Sequence, residues 1–119
     1  MNKLFSKFWR RLKKVREKSA HRYSTVRFID ALPDVPAQIG NDIYIIGSPH
    51  AAKWVVFNCP CSKGHRLTVN LMKSNHPRWI LRLSGKKASL SPSIVVTDHP
   101  CKSHFWLKSN EAYMAVFED

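Results

Sequence analysis

Residues 43–61 run IYIIGSPHAAKWVVFNCPC. Two runs rich in β-branched and aromatic residues, Ile43 to Ile46 and Lys53 to Asn58, flank Gly47-Ser48-Pro49, a composition that favours a turn. So little chain between them leaves no room for a crossover helix, and the runs read as neighbouring antiparallel strands. The second run leads straight into Cys59-Pro60-Cys61.

Working outward, further runs of the same type occur at Tyr23 to Ile29, Arg66 to Leu71, Arg78 to Ser84, Ser93 to Thr97, His104 to Lys108 and Ala112 to Phe117. Ser84-Gly85-Lys86-Lys87 and Ser109-Asn110-Glu111 separate later runs, and Leu32-Pro33-Asp34-Val35-Pro36 marks a loop after the first. The expected fold class is mainly β, a small antiparallel sandwich or a partly open barrel with a metal site.

Ahead of this body the pattern changes. From Asn2 to Ala20 there is no Pro or Gly, and Leu4, Phe5, Phe8, Trp9, Leu12 and Val15 recur at the spacing of one helical face. That predicts an N-terminal amphipathic α-helix and a division into residues 1–22 and a zinc-binding β domain of residues 23–119. The 119-residue chain carries a formal net charge of +12. Residues 1–22 hold nine basic residues against the single acid Glu17, so most of the excess sits in this segment. A basic tail on a nearly balanced body suggests a separable attachment device rather than a uniformly nucleic-acid-binding surface. Its apolar face can pack on the β domain or enter the headgroup layer of an anionic membrane, and its cations can meet nucleic acid non-specifically.

No window approaches the roughly 18–20 apolar residues that span a bilayer. The start of the chain lacks the cleavage site and uncharged apolar stretch of an export signal, and three cysteines cannot all pair internally. These features predict a reducing, cytoplasmic setting, with peripheral attachment at the inner face of the membrane as the alternative.

The chemistry concentrates in two close pairs, Cys59-Pro60-Cys61 and Cys101-Lys102-Ser103-His104. Zinc takes four tetrahedral ligands from thiolate sulfur and imidazole nitrogen, so Cys59, Cys61, Cys101 and His104 form the expected set. His65, just after Gly64, is the rival imidazole. Free cysteines also occur in cores as small hydrophobes, which is the plainer alternative. A hydrolytic site can be drawn from the same neighbourhood. Cys61 or Ser103 would attack, with Ser91 and Ser93 as further candidate hydroxyls, His104 or His65 would take the proton and Asp98 would orient that base, or a zinc-bound water would serve instead.

In order along the chain, Cys59-Pro60-Cys61, Pro77-Arg78-Trp79, Ser91-Pro92-Ser93-Ile94 and Cys101-Lys102-Ser103-His104-Phe105-Trp106 form a recognisable set. The set resembles a small bacterial and phage family of C-P-C, P-S-I and C-x-S-H-F-W domains. That family includes BubE-type proteins of bacterial ubiquitin-like conjugation operons. The likeness extends over about residues 26–117. Members commonly read C-P-C-G-C-G, whereas Lys63 stands here in place of the third thiol. The resemblance implies a protein partner, a ubiquitin-like modifier among the options. It leaves two functional expectations, a zinc-stabilised accessory module and a peptidase that processes such a modifier; a membrane- or nucleic-acid-attached phage protein is the third.

Overall fold

The computed structural model describes residues 15–61 and 63–117. Nine strands account for most of them: β1 (Val15–Arg22), β2 (Val26–Ile29), β3 (Ile43–Ser48), β4 (Ala51–Asn58), β5 (Arg66–Asn70), β6 (Ile80–Ser84), β7 (Lys87–Val95), β8 (His104–Lys108) and β9 (Glu111–Phe117). They form a five-stranded sheet in the order β1-β9-β8-β7-β6 and a four-stranded sheet in the order β2-β3-β4-β5.

Period-two alternation explains how the sheets face each other. In β5, Leu67 and Val69 are buried while Arg66 and Thr68 are exposed; in β8, Phe105 and Leu107 are buried between half-buried or exposed neighbours. Ile43, Ile45, Val55, Phe57, Leu67 and Val69 from one sheet therefore share a core with Leu90, Ile94, Phe105 and Leu107 from the other. Phe57 and Phe105 meet edge to face across it, with centroids 6.1 Å apart. Burying each such ring contributes about 1.5–3 kcal/mol.

Residues 43–46 are buried without interruption because the four-stranded sheet is covered on both faces. On the outer side Ile39 packs with Tyr44, Ile46 and Val56, while Ile29, Val35 and Trp54 close around them. The Pro-punctuated loop thus acts as a lid for this small second core.

Two sequence expectations need correction. The sheets are not wholly antiparallel, since β2 and β3 pair in parallel, with Val26 opposite Ile43 and Ile29 opposite Ile46. The long connection carrying the 3-10 turn Leu32–Asp34 provides the crossover that this pairing requires. The predicted helix does not continue through residues 15–20, because β1 runs antiparallel to β9, from Val15 opposite Phe117 to Arg22 opposite Glu111. A ladder with an existing sheet satisfies the backbone without the nucleation cost of an isolated helix. Residues 15–22 thereby join the β body. The remainder of the predicted helix, with most of the surface expected to meet membrane or nucleic acid, lies outside the described residues. No helix among the described residues is long and apolar enough to cross a membrane.

Candidate functional site

The connections β4–β5 and β7–β8 meet at one end of the two sheets. After β4 the chain turns through Cys59 to His65, where Gly64 has φ +60°, a conformation that costs glycine least. Cys59 N–H donates to His65 C=O at 2.7 Å, closing this loop. The opposite connection turns at His99 to Lys102, with Lys102 N–H donating to His99 C=O at 3.2 Å. His65 and His99 stack at 3.8 Å across the junction.

The result is a cluster of Cys59, Cys61, His65 and Cys101 whose donor atoms all lie within 4.8 Å of one another. The Cys59 and Cys101 sulfurs are 3.9 Å apart, and His65 Nε2 lies 2.9 Å from Cys101 Sγ. Tetrahedral zinc with Zn–S near 2.3 Å puts its ligand atoms about 3.5–4 Å apart, so this donor set fits a metal ion of that kind. His65 Nδ1 is buried with no hydrogen-bond partner.

Burial raises the Cys59 thiol well above its ordinary value. The Ser103 hydroxyl, followed by the His65 imidazole, holds Cys101 below its own. The cluster thus contains both a thiol ready to ionise and one that must exchange its proton for a cation. Ser103 is buried, and its hydroxyl is directed at the Cys101 sulfur rather than at an open surface.

The imidazole brought to the three thiols belongs to His65, whereas the sequence pointed first to His104. The reason is strand geometry. His104 opens β8, and with Phe105 pointing into the core its own side chain leaves by the opposite face. There, His104 Nε2 meets Ser93 Oγ at 2.9 Å.

Ser93 reaches that position through an irregularity in β7. Leu90 pairs with Leu107 and Ile94 with Phe105, so Ser91-Pro92-Ser93 lies opposite Trp106 alone. The excess chain bulges, a device that re-aims side chains. Ser93 is half-buried at the edge of a cleft of about 530 Å³ that also involves Arg82, Ser89, Ser91, Trp106 and Lys108. Ser91 is exposed along this cleft.

Asp98 does not orient His104. Its carboxylate is exposed and lies 3.9 Å from His99 Nε2, and no ion pair joins a carboxylate to His104 among the described residues. Instead the Trp106 ring lies against the imidazole, with centroids 5.0 Å apart and planes inclined by 32°. Trp106 is half-buried on the outer face. The sequence also gave no sign that Trp79 Nε1 donates to the Ser93 carbonyl at 3.2 Å, tying the backbone at the serine to the core.

Two chemistries are therefore separated by a few residues. Cys101 faces a site with four metal donors, and His104 faces a serine beside a cleft. Searches of curated proteins and of solved structures returned no match. Residues 28–115 match the sequence model of a family described as bacterial ubiquitination-like system serine protease (BubE). Extending over most of the chain and both groups of residues, that match makes the protein a member of the BubE family.

Proposed function

We propose that the protein is a small serine hydrolase acting on a ubiquitin-like modifier, with Ser93 as nucleophile, His104 as general base and a structural zinc ion held by Cys59, Cys61, His65 and Cys101. The observation that carries this reading is the 2.9 Å contact of His104 Nε2 with Ser93 Oγ beside an open cleft, in a family described as serine proteases.

Serine is a weak nucleophile until a base accepts its proton. As Ser93 Oγ attacks a carbonyl carbon, His104 Nε2 takes the hydroxyl proton and later delivers it to the departing amine or alcohol. Water, activated by the same imidazole, then releases the acyl group. Trp106 limits rotation of the imidazole by lying against it, and Trp79 fixes the carbonyl of Ser93.

Zinc, when bound, supplies a covalent-like tie between the two loops. Cys59, Cys61 and His65 stand on the β4–β5 connection, and Cys101 stands three residues before His104. Four protein donors, Cys59, Cys61, His65 and Cys101, would fill the positions a structural zinc ordinarily offers and would leave none for a catalytic water.

The accessory-module reading draws on the same cluster, because a structural metal suits a binding domain equally well. Turnover separates the two. A ubiquitin-like modifier with a C-terminal extension should lose that extension on incubation with the wild-type protein and keep it with Ser93→Ala. Binding of the fusion without cleavage by either protein would favour the accessory role.

A further inference from the structure

β7 outruns its partner. β6 begins at Ile80, opposite Ser91, so beyond that residue, among the described residues, β7 has no strand beside it on that side. β5 is the outer strand of the other sheet. The two free edges border a cleft of about 290 Å³, with Arg66 and Thr68 on one wall and Val95 and Thr97 on the other.

The backbone direction of each wall follows from hydrogen bonds already made. His65 C=O and Leu71 N–H bond to the β4 side, whereas Asn70 C=O accepts from Trp79 N–H on the opposite side. By alternation, Arg66 and Thr68 direct their backbone groups away from β4 and toward the cleft. In β7, Val96 N–H bonds to Ser103 on the β8 side, and Ser93 C=O accepts from Trp79 on the other. Val95 and Thr97 therefore direct their backbone groups toward the same cleft.

We infer that this fork is a docking channel for an extended peptide segment with small side chains, which adds a strand between β5 and β7 with one end against Trp79, whose indole holds the Ser93 carbonyl. The identity of the partner rests on the reading of Ser93 as nucleophile; the strand-pairing chemistry does not.

Both walls offer backbone donors and acceptors at strand spacing, the chemistry that recognises an extended chain. The Arg66 guanidinium is held by the Pro36 and Ala37 carbonyls at 2.7 and 2.9 Å. Val95, 54% exposed next to His104 in the ladder, adds an apolar contact. Trp79 closes the end nearest Ser93, and His99 lies toward the metal cluster. The small volume leaves space for only short side chains on the inward face of such a strand.

The test uses Ser93→Ala protein, labelled for amide spectroscopy and titrated with acetyl-pentaalanine-amide. The Thr68, Val95 and Thr97 amides should shift and exchange more slowly, while those of Leu67, Val69 and Val96, already in ladders, should stay nearly constant. N-methylating alternate peptide amides should weaken binding about tenfold or more, from the loss of two hydrogen bonds. Shifts confined to Arg82 and Lys108, or no shift at millimolar peptide, would overturn the channel. Cleavage of a modifier fusion that depends on Ser93, together with silent cleft amides, would overturn the channel and leave the hydrolase standing. Shifts at the named amides without turnover would keep the channel and remove the hydrolase.

Discussion

Two imidazoles in this molecule each lie 2.9 Å from a nucleophilic atom, His65 from Cys101 Sγ and His104 from Ser93 Oγ. The distance alone does not assign a chemistry; the surroundings do. His65 sits among three thiols gathered from two loops, one of its nitrogens buried without a partner. His104 meets a single hydroxyl on the outer face of a sheet, beside a cleft and against an aromatic ring. The first arrangement suits a cation, and the second suits transfer of a proton.

The comparison is broken most directly by changing one pair and watching the other. Ser93→Ala should lower kcat/KM by roughly 10⁴-fold or more while the thermal transition and zinc content remain those of wild type. Cys101→Ser should do the reverse in kind, losing zinc and more than about 4 kcal/mol of stability, since loss of a structural metal belongs among the few severe single-site effects. Denaturant titration and elemental analysis would check it. Equal loss of stability in both variants would erase the distinction.

Smaller changes sharpen it. Ser103→Ala removes the hydroxyl on Cys101 and should cost about 10–100-fold in zinc affinity, measured by competition with a chelator. Trp106→Leu removes the ring against His104 and should lower kcat/KM by about tenfold or less, with zinc affinity unchanged.

The smallest expected effect involves neither pair and serves as a control. The Thr25 hydroxyl and the Arg27 guanidinium hold the half-buried Asp42 carboxyl below its ordinary value. A depressed folded-state pKa stabilises above the unfolded value, near 4, and that stabilisation fades as pH falls through the folded value. The urea midpoint of wild type should therefore drop slightly more than that of Asp42→Asn on acidification from pH 6 to pH 3, and zinc content at neutral pH should be the same in both.

Much of this was legible in the chain. Runs rich in β-branched and aromatic residues between turn signals identified the strands, and alternation at Leu67, Val69, Phe105 and Leu107 shows why, since one face of each meets the core. It failed at residues 43–46, where both faces are covered, only in hiding the second small core. Residues 15–20 misled because helical spacing is a local signal and the pairing with Glu111–Phe117 is not. For the site, the cysteines were identified by spacing, but the choice of imidazole needed the direction of a side chain. Strand parity could have supplied it: Phe105 inward sends His104 outward, and Ile94 inward sends Ser93 to the same side. The bulge opposite Trp106 and the bond from Trp79 to Ser93 depend on register, which spacing in one sequence does not fix.

Mass spectrometry after reaction with a fluorophosphonate tests the central claim most directly. The account predicts one phosphonyl adduct, on Ser93, in zinc-loaded wild-type protein and its loss in His104→Ala. An adduct on Ser91 or Ser103 instead, or labelling of Ser93 that persists undiminished in His104→Ala, would contradict it.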